Sequence, residues 1–239
     1  MGFGAVVQGA VGFGSGLLGV PLLVMAGFSL PESAAINFIS TSIQNAAGAW
    51  KLAPHLDRQD LLLPTVVRIA MLPVGVAALG LTGGLQPATV RQIVGAVLLA
   101  SVAMLRGVRL QPRDRLGLGW RLAAFSSSGF LMGFAAIGGA PMVMYVNALT
   151  WSAQKSRGFL FFCSAVCIPP LAALFAYRFG RTLLPATLAA LLVLPIIAAC
   201  LAIGLRLGHR LDKQRFRRIT YGLITAIAVA SITGPWLIG

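Results

Sequence analysis

GAVGFGSGLLGVP, residues 9–21, and GFLMGFAAIGGAP, residues 129–141, are the two stretches from which the rest of the chain is read. Each lies inside an apolar run that would otherwise form an uninterrupted membrane helix. Each crowds several glycines into two or three turns and then places a proline, Pro21 or Pro141. Glycine in a helix interior is costly in chain entropy and proline removes a backbone hydrogen bond, so such a run is where a helix breaks or unwinds. In a bilayer, unpaired backbone groups persist only where protein buries them or water reaches them. Interrupted segments at corresponding places in two halves therefore point to a binding site near the membrane midplane.

The composition agrees. Of 239 residues, 58% are hydrophobic and 10% charged, with a mean hydropathy of +0.88. Soluble domains carry about 25% charged residues, so the chain reads as an integral membrane protein without a large soluble domain. Its net charge of +14 comes from 19 Lys and Arg against 5 Asp and Glu. Those positives fall between apolar runs, the pattern of loops facing anionic lipid rather than of a nucleic-acid surface. Cys163, Cys167 and Cys200 lie in apolar runs with no His or acid beside them, which fits small core residues better than a metal site. The N-terminus lacks a basic leader region, so no cleavable signal peptide is expected.

Windows of about twenty apolar residues mark the spans. Eight runs are expected: 3–28, 31–50, 61–81, 88–105, 122–149, 151–175, 183–205 and 219–238. The longest hydrophilic interval, 106–121, holds five arginines and Asp114 and reads as a linker between a first membrane repeat, 1–105, and a second, 122–239. The halves echo each other. Gly9, Gly19 and Pro21 match Gly129, Gly139 and Pro141, LLLP at 61–64 matches TLLP at 182–185, and RQIVG at 91–95 resembles RITYG at 218–222. With eight single crossings the loop Lys and Arg split evenly, nine on each side, against the usual positive-inside bias. If the second glycine-rich segment turned back or crossed twice, the basic stretches 106–121 and 206–218 would share one side. The repeats would then be inverted, the arrangement the charges favour.

An interrupted helix offers free N–H groups and the positive end of its dipole, together an anion site that needs no charged side chain. Gly14, Gly16 and Gly19 in the first stretch, and Gly138 and Gly139 in the second, would let an anion approach the backbone, and Ser15 adds a hydroxyl. Close helix packing by small residues is the competing role. In the second run Asn37, Thr41, Gln44 and Asn45 form a polar stripe that either bonds between helices or lines a pathway. Arg68, about seven residues from either end of its run, is a costly charge and a functional candidate. Arg157 is either a substrate ligand or an interfacial anchor, and Lys155 reads as an anchor. No acid lies mid-span, which weakens a carboxylate relay, and catalytic motifs such as HExxH, GxSxG or a P-loop are absent.

GFGSGLLGVPLL at 12–23, AIN at 35–37, GFAAIGGAPMVMY at 133–145 and KSRGFLFF at 155–162 resemble the sulfite exporter TauE/SafE family of membrane permeases. The resemblance covers nearly the whole chain. It implies secondary transport of a small anion, chiefly a sulfur-containing oxyanion or organosulfonate, across the inner membrane of the cell. Carried over by position, the first glycine motif with Pro21, then Asn37, then Gly138, Gly139 and Pro141, and then Arg157 match the family pattern. Ile36 replaces a threonine common before Asn37, and Ala140 stands where many relatives have proline or glycine. The expectation is an all-α polytopic membrane protein of two repeated halves, each with a broken or re-entrant glycine-rich helix. It would be a permease rather than an enzyme, with an alternating-access cycle. No cofactor or metal is expected; its partners would be a small anionic substrate and membrane lipid, with a homodimer as one assembly open to it. Other carriers, for an organic solute or a metal cation, and a membrane scaffold without a transport cycle are the rival functions.

Overall fold

The computed structural model describes residues 2–11, 13–107 and 113–207, together with 225, 229 and 233. Gly12, most of the basic stretch 206–218, and most of the eighth run with its RITYG sequence lie outside the described residues. The regular structure among the described residues is helical. In order it comprises α1 (Gly2–Val11), α2 (Ser15–Met25), α3 (Leu30–Leu52), α4 (Arg58–Leu81), α5 (Pro87–Gly107), α6 (Leu118–Ala135), α7 (Gly139–Asn147), α8 (Ala153–Val166), α9 (Ile168–Phe179) and α10 (Leu184–Leu207).

Local chemistry explains the boundaries. Before α3, the Ser29 hydroxyl accepts from the Glu32 amide while the Glu32 carboxylate takes the Ser29 N–H at 2.9 Å, a reciprocal cap with Pro31 in the first turn. At α8 the Ser152 hydroxyl accepts from the Lys155 amide in the same register. The runs 3–28 and 122–149 are each two helices, interrupted in the glycine-rich stretches as expected. The run 151–175, expected as one span, is also interrupted. Pro169 and Pro170 have no amide hydrogen, the Cys167 N–H turns to the Ser164 carbonyl at 3.2 Å, and α9 starts afresh at Ile168.

Glycines set how closely the helices approach. A Cβ on Gly129 would stand 2.5 Å from the Arg68 carbonyl oxygen, and one on Gly75 would stand 2.7 Å from the Phe134 nitrogen, so α4 and α6 touch backbone to backbone. Gly204 of α10 meets the backbone of Val6 in α1 in the same way, and Gly48 of α3 receives the ring of Phe161 from α8. Between these pairs lies a core containing Leu17, Leu72, Phe125, Phe159 and Leu171.

The outside of the bundle is apolar too. Two helical stretches, Arg58–Gly84 and Ala153–Gly204, have the length and hydropathy of membrane spans, and only 28% and 22% of their most apolar windows are buried within the protein. Leu62, Leu81, Leu192 and Tyr177 project outward. A surface of this kind suits lipid.

Two ends of the bundle can be told apart. The linker end gathers 56–60, 114–116 and 149–155, where Arg113 pairs with the far side of α7: its N–H donates to the Ala148 carbonyl at 3.0 Å and its carbonyl accepts from the Thr150 N–H at 3.2 Å. The chain thus enters α6 and leaves α7 at the same place. The far end gathers 27–32, 80–91 and 179–183. At the first interruption Gly4 lies against Ser15, and Val7 against Gly14, so α1 and α2 fold back on each other.

Candidate functional site

Both glycine-rich interruptions come to one place. Gly14, with φ of 111°, holds a left-handed backbone that a side chain would strain, and so starts α2. At the other interruption α6 ends on Ala136, the one described residue other than glycine with positive φ, at 55°. The Ala136 N–H returns to the Met132 carbonyl at 2.9 Å and the Ile137 N–H to the Leu131 carbonyl at 3.2 Å. This is the helix-ending pattern in which glycine normally occupies the left-handed position. Alanine there costs about 1–2 kcal/mol, and neighbouring bonds hold it in place. Asn37, from α3, donates its Nδ2 to the Ala136 carbonyl at 2.9 Å, and the Ser128 hydroxyl donates to the Gly138 carbonyl at 2.5 Å.

A cavity of about 40 Å³ lies where the two interruptions meet. Gly14 and Gly16 from the first turn of α2 and Gly138 and Gly139 from the first turn of α7 border it, so two helix N-termini converge on it. Gln8, Thr41, Asn45 and Ser164 supply polar groups, and Phe13, Met132, Met142 and Leu160 close the remainder. Among the described residues no acid or cation lines it. A water needs about 10–15 Å³ on this measure, so the space suits a few waters or one small ion. The absent side chains matter here: a Cβ on Gly16 would stand 2.8 Å from Asn37 Nδ2 and 2.9 Å from the Ala136 carbonyl oxygen, while one on Gly139 would meet only Phe13, at 3.6 Å.

Thr41 and Asn45 line this cavity, whereas Ser15, Gly19, Pro21, Asn37, Arg68, Pro141 and Arg157 stand around it. Thr41 borders the space but gives its hydroxyl to the Asn37 carbonyl at 2.9 Å. Ser15 is buried with its Oγ over Gly4 and without a hydrogen-bond partner. Gly19 and Pro21 are buried farther along α2, and Pro141 is the third residue of α7. Pro21 is the seventh residue of α2, so the matched prolines sit at different distances from their helix starts.

The two arginines share one kind of partner. Arg157 donates its Nη2 to the Gly9 carbonyl, in the last turn of α1, at 2.7 Å. Arg68, only 1% exposed, donates Nη1 to the Cys163 carbonyl, which the turn at Cys167 has released from the helical ladder. With Asn37 on Ala136, each of the three interrupted helices therefore ends on a carbonyl met by a side-chain N–H from another helix. A positive group at a helix C-terminus also complements its dipole. Nε of both arginines, and Nη2 of Arg68, have no hydrogen-bond partner. Each arginine lies one turn or less in sequence from a cavity residue or bonds its neighbour, Arg157 by Leu160 and Arg68 through Cys163 beside Ser164.

Gln8, Asn45 and Ser128 contribute more than sequence reasoning assigned to them. Gln8 Nε2 donates to Asn45 Oδ1 at 2.9 Å across α1 and α3. Gln8 is a lone amide in an apolar run, and Ser128 belongs to a serine triplet within another; that polarity is their visible signal.

A family model described as Sulfite exporter TauE/SafE matches residues 1–231. No curated protein and no solved structure matches the chain.

Proposed function

The chain belongs to the sulfite exporter TauE/SafE family, a family of membrane transporters, and on that premise we propose that it moves a small sulfur-containing oxyanion or organosulfonate by alternating access. One observation carries this reading: the N-termini of α2 and α7 converge on a small cavity with no acid in its lining among the described residues. Two helix dipoles and free N–H groups aimed at one space favour an anion, and the absence of a fixed counter-charge lets the anion leave again. Gly14, Gly16, Gly138 and Gly139 bring the backbone to the substrate, Asn37 and Thr41 hold the walls, and Gly19, Pro21 and Pro141 shape the two helices. Ser15 stands ready to turn its unpartnered hydroxyl inward. Arg68 and Arg157 add positive potential from behind the interruptions.

In this reading residues 1–105 and 122–239 are inverted membrane repeats joined by the basic linker 106–121. The protein is a multi-pass protein of the inner membrane, as monomer or homodimer. The return of α7 to the start of α6 supports it, because the linker and the end of α10 then lie on one side, as the distribution of Lys and Arg favours.

The test is anion uptake into proteoliposomes, comparing sulfite, sulfate, thiosulfate, a sulfonate and acetate, with Arg68→Gln and Gly139→Leu as variants. Flux of one sulfur oxyanion, lost in Gly139→Leu and reduced in Arg68→Gln while both elute as folded protein, is the expected result. Equal flux through Gly139→Leu would remove the cavity from the pathway. No flux of any anion under proton or sodium gradients would favour a different solute or a scaffold.

A further inference from the structure

We propose that Tyr145 is a gate on the transport pathway, the movable member of one aromatic layer that separates the central cavity from a vestibule at the linker end. The inference rests on the proposed transport function and gives a role to a residue which that reading leaves idle.

The same two helices wall both spaces. A cleft of about 730 Å³ stands at the linker end, and among the described residues none borders both it and the cavity. On α7, Met142 borders the cavity and Tyr145, one turn on, borders the cleft; on α8, Leu160 borders the cavity and Lys155 the cleft. Three residues of helix rise about 4.5 Å, so along α7 the two spaces are about one side chain apart. Aromatic rings fill that interval. The centre of the Tyr145 ring is 4.8 Å from that of Phe125 and 5.7 Å from that of Phe159, with Trp151 at 6.0 Å on the cleft side. Phe125 and Phe159 are fully buried and border neither space. Tyr145 is therefore the ring with room to turn, out into the cleft. The Arg121 guanidinium, which also borders the cleft, donates to the Tyr145 hydroxyl and holds the ring in place.

Charge fits this vestibule to an anion. Its three acids are engaged: Lys155 Nζ lies 2.6 Å from Asp57 Oδ2 and 2.7 Å from Asp60 Oδ2, and Asp114 Oδ1 accepts from the Thr150 hydroxyl at 2.7 Å. Arg58, Arg115 and Arg121 also border the cleft and form no ion pair among the described residues. Free guanidinium groups around a recess raise the local concentration of anions. An anion gathered there meets Tyr145 before it meets the glycine-lined N-termini of α2 and α7.

The test is modification of single introduced cysteines by the impermeant anion 2-sulfonatoethyl methanethiosulfonate, added to one face of sealed membrane vesicles. Leu116→Cys borders the cleft, and the face from which it reacts marks the linker side. Met142→Cys, on the cavity side of Tyr145, is the reporter, its rate taken over that of the same protein without it. From the linker side Met142→Cys should react far more slowly than Leu116→Cys. Adding Tyr145→Ala opens about 100 Å³, the share of about three waters, and should speed the reporter about tenfold or more. Tyr145→Phe and Arg121→Gln keep a ring at 145 but lose the bond that holds it, and should each speed the reporter about two- to tenfold, the worth of one such bond. Phe175→Ala, whose ring packs on Phe38 and Phe179 away from this layer, should leave the rate as it was. A reporter as fast as Leu116→Cys in the otherwise native protein would overturn the proposal. So would rates unmoved by Tyr145→Phe and Arg121→Gln, or equal acceleration by Phe175→Ala. Modification needs no substrate, so acceleration in a protein without anion flux would keep the gate and remove the substrate assignment, whereas anion flux with unmoved rates would do the reverse.

Discussion

Asn37→Ala should loosen the second interruption by an amount that can be worked out from its contacts. The side chain is fully buried, and its Nδ2 gives the 2.9 Å bond to the Ala136 carbonyl. Hydrogen bonds between membrane helices are worth about 0.6–1.7 kcal/mol. Orphaning a buried carbonyl moves the loss to the upper part of that range. The removed amide leaves a void of about 30 Å³, which at about 24 cal/mol per Å³ adds about 0.7 kcal/mol. The expected loss is thus about 1.5–2.5 kcal/mol. A second substitution tests the cause. Ala136→Gly relieves the left-handed strain, worth about 1–2 kcal/mol, so the double variant Asn37→Ala with Ala136→Gly should recover roughly half the loss. Reversible unfolding in mixed micelles measures the stabilities, and anion uptake at matched protein levels measures function. Function should not follow stability: flux should stay low in the double variant, because the turn is restored without the amide that fixes it against α3. A change below about 0.5 kcal/mol in Asn37→Ala with native flux would refute the assignment of Asn37 as the clamp on this turn.

Three further outcomes follow from the same contacts. Gly133→Ala should destabilise by about 3 kcal/mol or prevent folding, since its Cβ would strike the backbone of α4 at Leu72, whereas Gly139→Ala should stay within about 1 kcal/mol of native by the same unfolding measurement. Arg68→Leu should cost more than Arg68→Gln, because glutamine keeps an N–H for the Cys163 carbonyl and leucine leaves it bare; thermal midpoints in detergent should rank native, Gln, Leu. Ser29→Ala removes one arm of the α3 cap and should cost about 1 kcal/mol, with Glu32→Gln costing less because glutamine can still reach back to the Ser29 amide.

Glycine and proline carry their structural meaning in the residue itself, which is why the interruptions near Gly14 and Gly138 are readable from sequence alone. The apolar runs likewise fall within a few residues of the helices: 31–50 against Leu30–Leu52, 61–81 against Arg58–Leu81 and 183–205 against Leu184–Leu207. Hydropathy sets these limits. Pro169 and Pro170 gave the same kind of warning at the third interruption, but an unbroken apolar window around them concealed it. The partners of the charged residues were not legible. A buried arginine in a span signals that something needs its charge, yet whether that is a ligand or a released carbonyl depends on which helix packs beside it. Arg68 meets α8, and Arg157 meets α1 from 148 positions away. The polar stripe on α3 divides for the same reason: Asn37 turns to α6 and Asn45 to α1, because different neighbours face successive turns.

That last separation bears on how the protein is made. The carbonyl at the end of α1 waits for a guanidinium that lies 148 residues downstream. At about 5–20 residues per second a ribosome needs roughly 7–30 s to reach it. Through that interval the N-terminal hairpin holds an unanswered backbone group, so it belongs at the insertion machinery or at the watery margin of the bilayer rather than in hydrocarbon. The second hairpin has no such delay, since Asn37 is already synthesised when Ala136 emerges. The two halves thus mature in opposite order to their synthesis, and a nascent chain arrested before α8 should present its first hairpin to protease while its second is already sheltered.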